Sequence, residues 1–296
     1  MNNQADGLKK LVSSVREKDI LYSTDPMGNI SRVICITSGK GGVGKSNLSV
    51  NLSLALSQQG LRVVLFDGDL GMANVDVLMG LYPPYNLTDF LYEKKTLQEI
   101  MALGPCGLKV IPGGSGITQL ANATPRQQNR FINGLLELED EVDLVLIDTS
   151  AGLGYNVLRF VSAAHELIVV TTPEPTAITD AYSIIKVVSN YKLHSRVGLV
   201  VNRVRSEEEA LQTARKIERV SQRYLDIKVQ YLGSVYEDVK VGDAVRNQVP
   251  FVISHPRCKA AESVRKLAGK LNGDFNSQEE KQGFSGFVKK MFKLLS

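Results

Sequence analysis

Along most of the chain, short apolar runs alternate with longer stretches in which apolar residues recur every three or four positions. The runs cover residues 32–37, 62–67, 108–111, 144–148, 167–171, 197–202 and 229–233. Consecutive Val, Ile and Leu positions in them are the pattern of strands buried on both faces. Over residues 45–59, Leu48, Leu52, Ala55 and Leu56 fall at helical spacing, and Gly60 stops that helix. Thr124-Pro125-Arg126-Gln127 opens another with an N-cap, a proline at the first helical position and a capping-box glutamine. The alternation over residues 32–271 predicts an α/β fold, a mostly parallel twisted sheet with helices on both faces. Residues 1–31 are expected to hold a short helix over 4–17 and a polar linker with Asp25, Pro26, Gly28 and Asn29. Residues 272–283 read as a second polar linker.

After that linker the pattern changes. On a helical wheel, Phe284, Phe287, Val288, Met291, Phe292, Leu294 and Leu295 share one side of residues 284–296, while Lys289, Lys290 and Lys293 take the other. A basic amphipathic helix with aromatic anchors suits the interface of an anionic membrane, and it equally suits packing on the protein's own surface. No apolar run approaches the ~20 residues of a membrane span, and the polar N-terminus is not a signal peptide.

Composition narrows the class only modestly. With 43% hydrophobic residues in 296 the chain supports a sizeable core, and a net charge of +4 does not demand a nucleic-acid partner. Cys35, Cys106 and Cys258 follow no C-x-x-C spacing, which argues against a zinc or iron–sulfur site and suits a reducing cytosol. The basic residues of the helix expected over 207–224 are balanced by Glu207, Glu208, Glu209 and Glu218, so a solvated face is favoured there and no specific nucleic acid is expected.

The candidate chemistry lies at the ends of the runs. Gly39-Lys40-Gly41-Gly42-Val43-Gly44-Lys45-Ser46 meets G-x-x-x-x-G-K-[ST] between a strand and a helix, the arrangement of a phosphate-binding loop. Its backbone N–H groups, with Val43 and Asn47, would cradle phosphates. Lys45 would reach the β- and γ-phosphates, and the Ser46 hydroxyl would ligate Mg²⁺. Asp67 and Asp69 end the run at 62–67; Asp67 would support the metal shell and Asp69 would orient the attacking water. Asp148, ending the run at 144–148 before Thr149-Ser150-Ala151-Gly152, has the Walker B position and would hold Mg²⁺ through water, with Gly152 sensing the γ-phosphate. Asn202 and Arg203 follow the run at 197–202; they either read an adenine or simply make a turn.

Lys40 is the unusual residue. With DGDLGMANVD at 67–76 and LIDTSAG at 146–152, the loop resembles the MinD/ParA family of deviant Walker A ATPases, and residues 233–250 resemble the nucleotide-side loop and helix of MinD proteins. That resemblance implies a P-loop NTPase fold, ATP and Mg²⁺ as cofactors, and a homodimer in the ATP state. It implies that Lys40 reaches the partner's phosphates across the interface, that Asp69 positions the water, and that Asp180 lies near Lys40. The segment Gln4-Ala5-Asp6-Gly7-Leu8-Lys9 after Asn3 resembles the N-terminal element of the FlhG branch, regulators of flagellar number, with Asn3 in place of Asp and Lys9 in place of Arg. This implies the GTPase FlhF and flagellar switch (C-ring) proteins as partners, and a cytoplasmic protein held peripherally on the inner face of the cell membrane. The alternatives within the family are a MinD-like division-site ATPase and a ParA-like DNA- or cargo-positioning ATPase.

Overall fold

The computed structural model describes residues 32–69, 74–114 and 116–273, together with Phe287, Lys290 and Met291. Eight strands form one sheet: β1 (Arg32–Thr37), β2 (Val63–Gly68), β3 (Ala102–Leu103), β4 (Lys109–Ile111), β5 (Leu144–Thr149), β6 (Glu166–Thr171), β7 (Arg196–Val204) and β8 (Lys228–Tyr236). Their order is β3-β4-β2-β5-β1-β6-β7-β8. Only the two-residue β3 runs antiparallel to its neighbour. It is too short to show a period, which is why the pattern of the chain does not announce it. The sequence predicts the other seven strands to within a few residues. The expected α/β architecture is the one observed.

The helices are α1 (Lys45–Gln58), α2 (Asn74–Met79), α3 (Leu87–Leu91), α4 (Leu97–Ile100), α5 (Gly116–Ala121), α6 (Pro125–Leu136), α7 (Tyr155–Ala163), α8 (Pro175–Asn190), α9 (Glu207–Tyr224), α10 (Val239–Arg246), α11 (Phe251–Ser254) and α12 (Lys259–Gly273). The expected capping box at Thr124 forms and starts α6. Helix α12 ends two residues beyond the expected start of the linker.

Side chains alternate across the central strands as the pleat requires. Val33 and Cys35 of β1 face a core built with α3 to α9, and Ile34 and Ile36 face one built with α1, α2, α11 and α12. Helix α1 has little amphipathic character because it lies under α12 and is buried nearly all round, its small polar residues included; Leu48, Val50, Leu52, Leu54 and Leu56 are all buried. Each such side chain contributes about 1.5–3 kcal/mol through burial.

Parallel order gathers the C-terminal ends of the other seven strands at one edge, where ligands bind in such folds. The opposite edge carries the chain's extensions. There Arg32 bonds the Glu166 carboxylate and donates from Nη1 to the Leu271 carbonyl oxygen (2.7 Å), pinning the starts of β1 and β6 to the end of α12. The N-terminal element at 3–9, and Phe284, Val288, Lys289, Phe292, Lys293 and Leu295, lie outside the described residues. Phe287 and Met291 are buried in the core on the α7 side, and Lys290 faces His194 on the loop before β7.

Candidate functional site

The phosphate loop is where the pattern places it, between β1 and α1. Gly42 and Gly44 hold φ of 81° and 86°, left-handed values that suit glycine. At Gly41 and Gly42 an added Cβ would meet nothing within 4 Å, whereas at Gly39 it would come within 2.3 Å of the Asp180 backbone. The loop is thus packed at its root and open at its crest. The root contact also brings Asp180, on the first turns of α8, beside the neighbour of Lys40.

The two loop lysines are held differently. Lys45 is buried, and its Nζ donates to Asp148 Oδ1 at 2.8 Å. Lys40 is 43% exposed, with Nζ 3.4 Å from Glu174 Oε2 and 3.1 Å from Thr176 Oγ1. Glu174 and Thr176 open α8, and their hold on Lys40 is not legible from the sequence: it depends on β6 lying beside β1.

Asp67 and Asp148 are register partners on β2 and β5, both fully buried. Asp67 Oδ1 accepts the Asp69 backbone N–H at 3.1 Å, and the second oxygen of each of the two aspartates has no hydrogen-bond partner. Burial, and then the charge of Asp148, push the Asp67 carboxyl up to about 7. Two adjacent buried carboxylates with spare oxygens, beside the Ser46 hydroxyl, fit a Mg²⁺ ion that keeps most of its waters and takes phosphate oxygens as ligands. Among the described residues no group of three or more His, Cys, Asp or Glu is arranged to hold a metal. Asp69 is anchored near Asn74, whose Nδ2 lies 3.5 Å from Asp69 Oδ2; residues 70–73 lie outside the described residues.

After β5, the Gly152 backbone N–H donates to the Ser38 carbonyl oxygen at 2.8 Å, tying the turn that leads to α7 to the residue before the phosphate loop. Gly152 has φ of 90° and open space around it.

Asn202 adds a brace that the sequence reading does not anticipate. Its Nδ2 donates to the Val43 carbonyl oxygen at 2.7 Å, its Oδ1 accepts the Arg203 N–H at 2.9 Å, and Gly44 packs directly on it. A register shift between β7 and β8 at Asn202/Val204 sets Arg203 in the left-handed region, φ 57°. Such strain gathers at sites that need a side chain aimed in a fixed direction. The amide still has one free N–H and one lone pair.

Known proteins are similar to this chain over most of its length. A model of the ParA family, described as NUBPL iron-transfer P-loop NTPase, matches residues 29–272. The chain is 39% identical over 241 residues to the antiactivator FleN of Pseudomonas aeruginosa, covering 81% of this chain and 86% of FleN. It is 33% identical to the flagellum site-determining protein YlxH of Helicobacter pylori, with both chains covered completely. Among solved structures, MinD of Pyrococcus horikoshii complexed with Mg-ADP superposes with a TM-score of 0.67 at 28% identity, over 82% of this chain and 96% of that one. Fold, site and similarity agree that this chain belongs to the ParA/MinD family of P-loop ATPases.

Proposed function

We propose that this chain is a slow, nucleotide-switched ATPase that dimerises with Mg·ATP, attaches to the anionic inner face of the cytoplasmic membrane, and sets flagellar number or placement. The observation that carries the reading is the contrast between the loop lysines. Lys45 is buried against a carboxylate, as a phosphate ligand needs to be. Lys40 stands at the surface on two weak, exposed partners, free to serve a phosphate other than its own. In a face-to-face dimer it supplies a cation to the transferring phosphoryl group of the partner, and hydrolysis follows dimerisation.

On this reading Lys45 would move from Asp148 to the β- and γ-phosphates, and Ser46, Asp67 and, through water, Asp148 would hold a Mg²⁺ that neutralises phosphate charge. Asp69 orients the attacking water, and Gly152 exchanges its bond to Ser38 for one toward the γ-phosphate. Asn202 presents its free amide edge to adenine while bracing Val43, and Arg203 stacks on the base. The tail residues Phe287 and Met291 bury against the core in one state; with Phe284, Val288, Phe292 and Leu295 they enter lipid in the other, with Lys289, Lys290 and Lys293 at the headgroups. Two tails on one dimer gain ~10²- to 10⁴-fold by avidity, which makes attachment follow ATP. The similarity to FleN and YlxH supports a flagellar role, with FlhF and the C-ring proteins as partners.

Pelleting with anionic liposomes in Mg·ATP and Mg·ADP, beside a truncation after Gly273, tests the switch. Pelleting that needs both ATP and the tail supports it. Equal pelleting in the two nucleotides, or pelleting without the tail, sinks the coupling.

A further inference from the structure

Helix α1 carries Ser49, Ser53 and Ser57 one turn apart. Ser53 and Ser57 do what buried helical serines commonly do: each donates to the carbonyl oxygen four residues back, at 2.8 and 3.0 Å. Ser49 has that option too, with the Lys45 carbonyl oxygen 3.0 Å from its Oγ. It also has another, because Asp148 Oδ1 lies at 2.8 Å. One hydroxyl has one proton to give. A hydrogen bond to a carboxylate is roughly twice as strong as one to a neutral carbonyl, so the proton goes to Asp148. Ser49 and Asp148 are both completely buried, and no water competes for that bond.

We propose that Ser49 is a positioning residue for magnesium: its hydroxyl fixes one oxygen of Asp148 so that the other is presented to the metal's water shell. This rests on the reading of the site as a Mg·ATP site. The geometry supports a division of labour within the carboxylate. Oδ1 receives Ser49 and Lys45, while Oδ2 is buried and has no partner; the same is true of Oδ2 of Asp67, the residue paired in register with Asp148 on the neighbouring strand. Of the two donors on Oδ1, Lys45 is the one that a phosphate draws away. Ser49 is fixed to the same helix one turn on, and its other acceptor, the neutral Lys45 carbonyl oxygen, competes less well than a carboxylate, so it is the anchor that persists through the cycle. The Thr149 hydroxyl, next along β5, is not a substitute, because it is engaged by the Ile36 and Ser150 carbonyl oxygens. Without Ser49, a carboxylate released by Lys45 is left to rotate about its side-chain bonds. Partners of this kind behind a metal-facing group typically tune metal affinity by 10–100-fold.

The test uses the full-length protein and fluorescent N-methylanthraniloyl-ADP, titrated with Mg²⁺ or held in EDTA. For Ser49→Ala the Mg²⁺ concentration that half-saturates the metal-dependent signal rises about tenfold. Nucleotide affinity in EDTA stays within twofold of wild type, and Ser49→Thr, which restores the hydroxyl, recovers most of the loss. In an Asp148→Asn background, Ser49→Ala adds nothing, because it acts through that carboxylate. A Ser49→Ala midpoint within twofold of wild type overturns the proposal, as does an equal loss in EDTA or a full additive effect beside Asp148→Asn. A wild-type protein whose nucleotide binding does not respond to Mg²⁺ overturns instead the Mg·ATP reading beneath it. Circular dichroism of each variant shows that it is folded; if Ser49→Ala is not, the rescue by Thr and the Asp148→Asn cycle in Ser49→Cys carry the comparison.

Discussion

Replacing Lys40 by alanine separates a residue that holds the fold from one that works across an interface. The pair it makes with Glu174 is exposed on both sides, 43% and 60%, at 3.4 Å. Exposed pairs contribute about 1 kcal/mol or less, so Lys40→Ala leaves the urea midpoint nearly unmoved and changes nucleotide affinity by no more than about fivefold. Loss of a cation from the transferring phosphoryl group costs about 10³- to 10⁵-fold in rate. Lys40→Ala therefore binds ATP normally and releases almost no phosphate. Mixing it in equal amounts with Asp69→Ala then decides in which chain Lys40 acts. Neither variant hydrolyses alone. In each mixed dimer one site keeps its own Asp69 and receives the other chain's Lys40. Half the dimers are mixed and one site in two is complete, so about one quarter of wild-type activity returns. Phosphate release at saturating ATP is the assay. Recovery near zero, with ATP binding intact in both variants, refutes action across the interface, and a large fall in stability refutes the weak hold that Glu174 and Thr176 are assigned.

Three further outcomes follow from the geometry. Gly39→Ala puts a Cβ 2.3 Å from the Asp180 backbone and lowers the melting temperature and nucleotide affinity together, by about 1–3 kcal/mol in stability; Gly41→Ala, in open space, leaves stability unchanged. Folding raises the Asp67 carboxyl to about 7, so the folded protein holds this proton more tightly than the unfolded chain. In EDTA its contribution is fully present below about pH 4 and is lost as pH rises through 7; urea titrations at pH 6 and 8 show the fall, and Asp67→Asn flattens it. Burial lowers the His194 pKa; the hydrogen bond to the Val161 carbonyl opposes it, Lys290 adds to the lowering, and Glu166 opposes it weakly. His194 is thus neutral in the docked arrangement, and acidification below the ordinary histidine range favours release. Protease cleavage of the tail accelerates at pH 5.5 relative to 7.5 in wild type and stays flat in His194→Gln.

The strands that carry the chemistry were legible because they are buried on both faces and need no partner to declare themselves. The phosphate loop was legible for a different reason: its glycines answer to backbone geometry within a few residues. Asp67 and Asp148 could be placed at strand ends from sequence, but not their pairing in register, which depends on β5 entering between β2 and β1. The same holds for Glu174 and Thr176 against Lys40, where β6 lies beside β1, and for Asn202 against Val43, which β7 reaches from across β6. Ser49 had a faint local signal, one helical turn after Lys45 on the same face. Serine spacing alone does not separate it from Ser53 and Ser57; only the carboxylate beside it does.

A switch that reads phosphate at one edge of this sheet and frees a tail at the other has to span the length of the strands, about 20 Å. Helix α7 covers most of that distance. It begins just after Gly152, whose N–H is tied to Ser38 before the phosphate loop, and near its end the Val161 carbonyl oxygen bonds His194 Nε2 at 2.6 Å. Its nine residues measure about 13 Å. Between those ends Phe160 lies edge-on to Phe66, ring centroids 5.7 Å apart, and an added Cβ on Gly68 would meet its ring at 3.3 Å. A helix gripped so closely by the strand that bears Asp67 has little room to bend, because a close-packed core transmits displacement and does not absorb it. On the proposed function, movement of the Ser150–Gly154 turn toward a phosphate would be felt at His194, which faces Lys290 of the tail.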